Sequence, residues 1–228
     1  MFENMKPPVS TGDGVSPSAA TREQLLEAAR QVFAEAGFRS ATIREICHRA
    51  GANIAAVNYH FGDKEKLYAA VVHDAARLAR ETYPETGGLP RNPTPVSRLH
   101  AIVRSLLLRT LSEGPQSHHG KLLTRELIEP SPVLDMIVRD DLRPMADGVT
   151  SVVRDLLGPQ AGEELVRDCA LSVAAQVVFY FHCRPVLSRM FPDMTFSEAD
   201  IERLADHITE FSLAAIKKLA KSGTGSRL

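Results

Sequence analysis

The 228 residues, 44% hydrophobic and 24% charged, are ordinary for a globular chain with a sizeable core. With 27 Lys and Arg against 28 Asp and Glu, the formal net charge is −1. This excludes a generally basic polymer-binding surface, so any contact with nucleic acid has to be placed locally. No apolar run approaches the ~18 residues of a membrane span. Residues 1–20, rich in Ser, Pro, Gly and Thr, contain no apolar signal core and read as a disordered tail.

The first helix is expected from about Thr21, where Leu25, Ala29, Val32, Phe33 and Ala36 recur on one face. Gly37 suits a left-handed residue closing it, and Phe38 the apolar contact that often follows. Thr42 can cap a second helix, with Glu45 three residues on completing a capping box, and Ile43, Ile46, Cys47 and Ala50 facing inward. Gly51 makes the turn. Asn53 can cap a third helix ending near Phe61-Gly62, and Asp63 starts a fourth that stops before Pro84. Two short helices joined by a tight glycine turn form the layout that sets one helix into the major groove of DNA.

Residues 86–95 (TGGLPRNPTP) read as a linker. Beyond it, helices are expected over 96–112, 119–128, 133–157, 163–191 and 198–220, with Pro144 and Pro185 kinking two of them. No segment alternates like a strand, so the fold is expected to be all-α. The domains expected are a tail (1–20), a helix-turn-helix unit (21–66) with a connecting helix (64–83), a helical regulatory and dimerisation domain (90–221), and a loose tail (222–228).

A reading helix needs an apolar inner face and short or hydrogen-bonding residues outside. Val57 and Phe61, at i and i+4, would pack inward, leaving Ala55, Ala56 and Asn58 outward. Small alanines allow close approach to base edges, and Asn58 can make a bidentate contact to adenine. Tyr59 and His60 can reach phosphates. Thr42 and Lys64, each in a first helical turn, can do the same. The charge balance over residues 19–66, seven basic against six acidic, adds only +1 to this picture.

The stretches TREQLLEAARQVFAEAGF, SATIREICHRAGAN and VNYHFGDKEKLYAAV together resemble the TetR family of bacterial transcriptional regulators over roughly residues 21–70. NIAAVNYHFGDKEKLY, LIEPSPVLDMIVRDDLRPM and FYFHCRPVLSRMF resemble its CecR/YbiH-like branch. The resemblance implies a DNA face made of Thr42, Arg44, Asn53, Ile54, Ala55, Ala56, Asn58, Tyr59, His60 and Lys64. It also implies a homodimer that binds a double-stranded operator, acts as a repressor and is released by a small-molecule effector. Family members often begin the third helix with serine-lysine-glycine where this chain has Asn53-Ile54-Ala55. They often have an aromatic residue in place of Asn58, so the operator sequence does not carry over.

In the C-terminal half, Leu171, Ala174, Ala175 and Val178 are small or apolar enough for close helix approach. Ile208, Phe211 and Ala215 belong to a stripe on the last helix too wide for one contact. These seven form the expected dimer interface. Arg125, Phe179 and His182 are the residues expected to line an effector pocket. Arg139 and Arg143 suit surface pairing better than anion binding.

No metal site is expected: His118-His119 and His182-Cys183 are adjacent pairs without a reinforcing i+3 or i+4 ligand. The three cysteines form no CxxC pair and read as buried apolar residues of a cytoplasmic protein. No GxGxxG, GxxxxGK[ST], GxSxG or HExxH motif is present, so no catalytic residue and no cofactor is expected. The alternative reading is a helical interaction or ligand-binding module that does not touch DNA.

Overall fold

The structure, a computed structural model, describes residues 17–113 and 117–222. Among these residues it is helical and contains no strand. The elements are α1 (Pro17–Ser40, broken at Gly37), α2 (Ile43–Ala50), α3 (Ile54–His60), α4 (Lys64–Thr82), α5 (Pro95–Leu111), α6 (Ser117–Ile128), α7 (Leu134–Ile137), α8 (Arg143–Leu157), α9 (Glu163–His182), α10 (Arg184–Met190) and α11 (Glu198–Ser222). Residues 17–20 and 222, expected in the tails, are helical; the rest of both tails lies outside the described residues.

Local chemistry accounts for the N-terminal boundaries. Gly37 (φ 74°, ψ 173°) leaves helical geometry where a side chain would be strained. Phe38 then turns back between Phe33 and Tyr68, with ring centroids 6.5 and 5.1 Å away. Side-chain oxygens of Thr42, Asn53 and Asp63 accept from the backbone N–H of Glu45, Ala56 and Lys66, capping α2, α3 and α4. Only half of the expected capping box forms, because the Glu45 carboxylate accepts from Arg49 Nε at 2.7 Å. Gly51, in the left-handed region, ends α2.

Proline shapes the distal helices. Ahead of Pro144 the chain widens into a π-turn at Val138–Leu142, separating α7 from α8. The helix expected over 163–191 breaks at Cys183, one residue before Arg184-Pro185, and α10 leaves α9 at 70°. Among the described residues no single helix is long and apolar enough to cross a membrane. Cys47 and Cys169 are buried, which pushes their thiols up, and all three cysteines are free.

Two apolar cores form. Helices α5, α8, α9 and α11 enclose the distal one, around Leu107, Val152, Val173, Leu204 and Ile208. The proximal one contains Phe33, Ile46, Val57, Leu67 and Val71 of α1–α4, and also Leu122 of α6, Ile137 of α7 and Val133 just before it. The boundary expected at residue 90 is therefore not where the packing divides: α6 and α7 complete the N-terminal core, while α6 also lies against α5. The α5–α6 contact depends on Gly120, where an added Cβ would fall 2.8 Å from the Thr110 carbonyl oxygen. Because the neighbour is backbone, Gly120→Ala is expected to cost ~1–3 kcal/mol. A melt showing unchanged stability would contradict so tight an approach.

Candidate nucleic-acid interface

Helix α3 is anchored through Val57, wholly buried, and Phe61 in the proximal core. At about 100° per residue, fixing that face turns positions 55, 58 and 59 away from it, while Ile54, only about 60° round from Val57, is left open because it is the first residue of the helix. Accordingly Ile54, Ala55, Asn58 and Tyr59 are exposed, Tyr59 to 80%, while Ala56 and His60 are half-buried at the flanks. The His60 ring meets Tyr59 edge-on at 4.9 Å, closing the end of the helix. Asn53 and Thr42 are exposed at the starts of α3 and α2, each with its side-chain oxygen already committed to its cap. Arg44 is exposed on α2 and engages no partner among the described residues. Arg49, by contrast, is held by Glu45 and Glu35 at 2.7 and 2.9 Å.

Lys64 differs from the expectation of a free phosphate-seeking arm. Its ammonium donates to the Arg39 carbonyl at 3.2 Å and lies 4.8 Å from the Phe38 ring centroid, satisfying the end of α1. Burial holds its pKa below the ordinary lysine range. The sequence reading missed Arg22, whose guanidinium stacks over Phe61, 5.1 Å from the ring centroid, and adds positive charge beside the end of α3. Its signal was an exposed arginine opening the first helix, which periodicity alone could not place next to the third.

The three residues expected in an effector pocket are not brought together. Arg125 spans two helices: its Nε donates to the Ala34 carbonyl at 3.0 Å and an Nη donates to the Glu35 carbonyl, tying α6 to the end of α1. Phe179 is exposed, and His182 is half-buried, its Nδ1 without a hydrogen-bond partner among the described residues. None of the three lines the cavities found between the distal helices.

Those cavities adjoin each other. One of about 420 Å3 lies between α6, α8 and α9; it is lined by Leu127, Met145, Val149, Leu171 and Phe181, with Arg143 and Arg167 also on its wall. The other, of about 170 Å3, shares Leu123, Leu142 and Met145 with it and reaches the end of α4. Here Arg80 pairs with Asp141, and Arg109 reaches the Tyr83 carbonyl at 3.0 Å and Glu85 at 3.1 Å. Burial pushes His119 down to about 4, leaving a neutral imidazole with one donor and one acceptor on this wall.

Of the residues expected at a dimer interface, Leu171, Ala175, Val178, Phe211 and Ala215 are exposed, and α9 and α11 lie side by side with Gln176 Nε2 donating to Ser212 Oγ at 3.1 Å. Phe179 belongs to this exposed apolar group. Ala174 is half-buried and, with Leu171 and Val178, also borders the larger cavity. Ile208 corrects the reading: at 0% exposure it is spent on the distal core of its own chain and has no surface left to offer a second subunit. Among the described residues no group of three or more His, Cys, Asp or Glu is arranged to hold a metal ion.

Two family models match the chain. The bacterial regulatory proteins of the tetR family match at residues 25–71, and the C-terminal domain of the HTH-type transcriptional dual regulator CecR matches at residues 95–216. The HTH-type transcriptional repressor AcnR of Corynebacterium efficiens is 45% identical over 80 residues, which is 35% of this chain and 40% of that protein. The HTH-type transcriptional dual regulator CecR of Shigella flexneri is 30% identical over 153 residues, 62% of this chain and 67% of that one. A TetR-family transcriptional regulator from Streptomyces coelicolor superposes with a TM-score of 0.63 at 17% identity, over 87% of this chain and 97% of that chain, a likeness of fold alone.

Proposed function

The chain belongs to the tetR family of bacterial regulatory proteins, with a CecR-type C-terminal domain, and from that premise we propose how it reads DNA and how the reading is controlled. Membership makes it a DNA-binding transcriptional regulator and not an enzyme. Regulators of this family bind operator DNA and act as dimers. The observation that carries the finer reading is the geometry of α3: Val57 and Phe61 are sunk in the core, so Asn58, Tyr59 and Ala55 stand out together, with Ile54 exposed beside them at the start of the helix.

In this reading Asn58 and Ala55 meet base edges, while Arg44 and Arg22 neutralise phosphates and Tyr59 donates a hydrogen bond to one. Lys64 acts from behind, fixing the corner of α1 and α4 against which α3 rests. One such helix reads few bases. Two, related by the two-fold axis of a homodimer joined through α9 and α11, read half-sites about 34–36 Å apart. Exposed apolar residues on both helices, Phe211 at 62% among them, support that face as the seam. The working compartment is the cytoplasm, where the chromosome is, and the sign of regulation is repression.

Control is a two-state balance. A small amphipathic molecule in the apolar cavity between α6, α8 and α9 favours an arrangement with the wrong separation of reading helices. The adjoining wall carries the Arg80–Asp141 pair from α4, and Arg125 of α6 holds the end of α1, so both helices connect the cavity to the reading unit. The molecule shifts the balance only by its difference in affinity for the two states.

The test is selection of genomic fragments by the purified chain, followed by sedimentation and gel shift. The expected result is an inverted repeat bound by a dimer. Phe211→Asp is expected to give a monomer whose affinity for the repeat falls at least a hundredfold. A chain that sediments as a monomer and enriches no fragment would leave the interaction-module alternative standing.

A further inference from the structure

A cavity of about 460 Å3 plays no part in the reading above. It lies where α5 and α11 run together, beneath the Gly87–Pro90 stretch that joins α4 to α5. Leu89, Ala101 and Leu213 give it an apolar wall, whereas α11 turns Asp206, Thr209 and Glu210 toward it. Thr209 is only 4% exposed, and its hydroxyl has no hydrogen-bond partner among the described residues. Helical threonines ordinarily satisfy that oxygen on a carbonyl of the preceding turn. A buried hydroxyl left unpaired is costly, and a donor arriving in the cavity removes that cost.

The charge around the cavity is mixed but net negative, since Arg104 and His100 also line it. Glu202 accepts from Arg104 Nε at 2.5 Å, and Asp206 lies 3.0 Å from His100 Nε2. Glu210 engages no partner among the described residues. Three carboxylates face one guanidinium, so the surroundings stay negative whether or not His100 carries a proton. An apolar wall opposite this charge suits an amphiphile with a cationic head and does not suit a bare metal ion, which wants oxygen on all sides.

We propose that this cavity is a second ligand site that takes a primary alkylammonium. Its N–H groups donate to the Asp206 and Glu210 carboxylates and to the Thr209 hydroxyl oxygen, and its chain covers Leu89, Ala101 and Leu213. The site is separate from the effector cavity, which is walled by α6, α8 and α9. It also stays open in a dimer of the kind described, because Phe211 and Leu213 leave α11 about 200° apart. It does not depend on the DNA reading, since occupancy is scored without DNA.

The test is calorimetric titration of the full chain with n-octylammonium, using octanoate and octan-1-ol as probes with the same apolar body. Octylammonium is expected to saturate one site per chain, with the other two at least tenfold weaker. Glu210→Gln with Asp206→Asn is expected to weaken octylammonium at least tenfold. Thr209→Val, nearly isosteric and free of the unpaired hydroxyl, is expected to weaken it about threefold or more while melting no lower than the parent. Equal affinity for octanoate or octanol would overturn the proposal. So would undiminished binding by both variants, which would move the amphiphile to another cavity.

Discussion

Asn58→Ala is expected to weaken binding to the selected operator by about 5- to 150-fold, the ~1–3 kcal/mol that a good bidentate base contact contributes. The loss should be concentrated in the cognate sequence, so the ratio of cognate to scrambled affinity falls with it. The side chain is exposed on α3, is not a cap and packs against nothing in the core, so the folded state has little reason to notice its removal. Tyr59→Phe provides the contrast. Removing a neutral, phosphate-directed hydroxyl lowers affinity for all sequences alike and leaves the salt dependence of binding unchanged. Equal losses on cognate and scrambled duplexes for Asn58→Ala would show that base reading resides elsewhere, and Ile54, 51% exposed one turn earlier, would be next to replace.

The second large effect is on stability. Glu126 of α6 is a carboxylate at 2% exposure; it accepts from the Tyr68 hydroxyl at 2.7 Å and from the Ser131 backbone N–H at 3.1 Å. Burial, then the neighbouring carboxylate, drives the Tyr68 hydroxyl far above its usual range, so it remains a donor throughout accessible pH. Glu126→Ala strands two buried donors and leaves a void; ~3–4 kcal/mol is expected, which for this chain length is a fall in Tm of about 6–16 °C. Tyr68→Phe strands a charged acceptor instead, at ~2–3 kcal/mol. Because each single change orphans the other partner, the pair Tyr68→Phe with Glu126→Ala should cost less than the two single losses together. Thermal melts of the three variants decide this, and strictly additive losses would mean the two groups do not depend on each other.

The N-terminal unit was legible because its signals are local. Thr42, Asn53 and Asp63 cap over three residues, Gly37 and Gly51 are required by the backbone, and Val57 with Phe61 fixes which way α3 faces. Each of these is decided within a turn or two of chain. What was not legible depends on who meets whom across long separations. The bond from Arg125 to the Ala34 carbonyl spans 91 residues, and the one between Tyr68 and Glu126 spans 58. A helical period says that Ile208 and Phe211 are apolar, but not that the chain's own core covers the first and leaves the second exposed. The wide stripe on the last helix contained both roles, and only packing separates them. Lys64 shows the same limit: its charge was readable, its return to the Arg39 carbonyl was not.

The shared proximal core bears on how these proteins diversify. Leu122, Val133 and Ile137 come from beyond the linker yet complete the packing around Phe33 and Tyr68. A reading head excised after α4 would therefore face water where those three side chains belong, and would arrive incomplete in any chimera. Grafting new operator specificity onto this scaffold means exchanging the outward positions of α3 one by one, or transplanting α1–α4 together with the α6–α7 block as a single cassette.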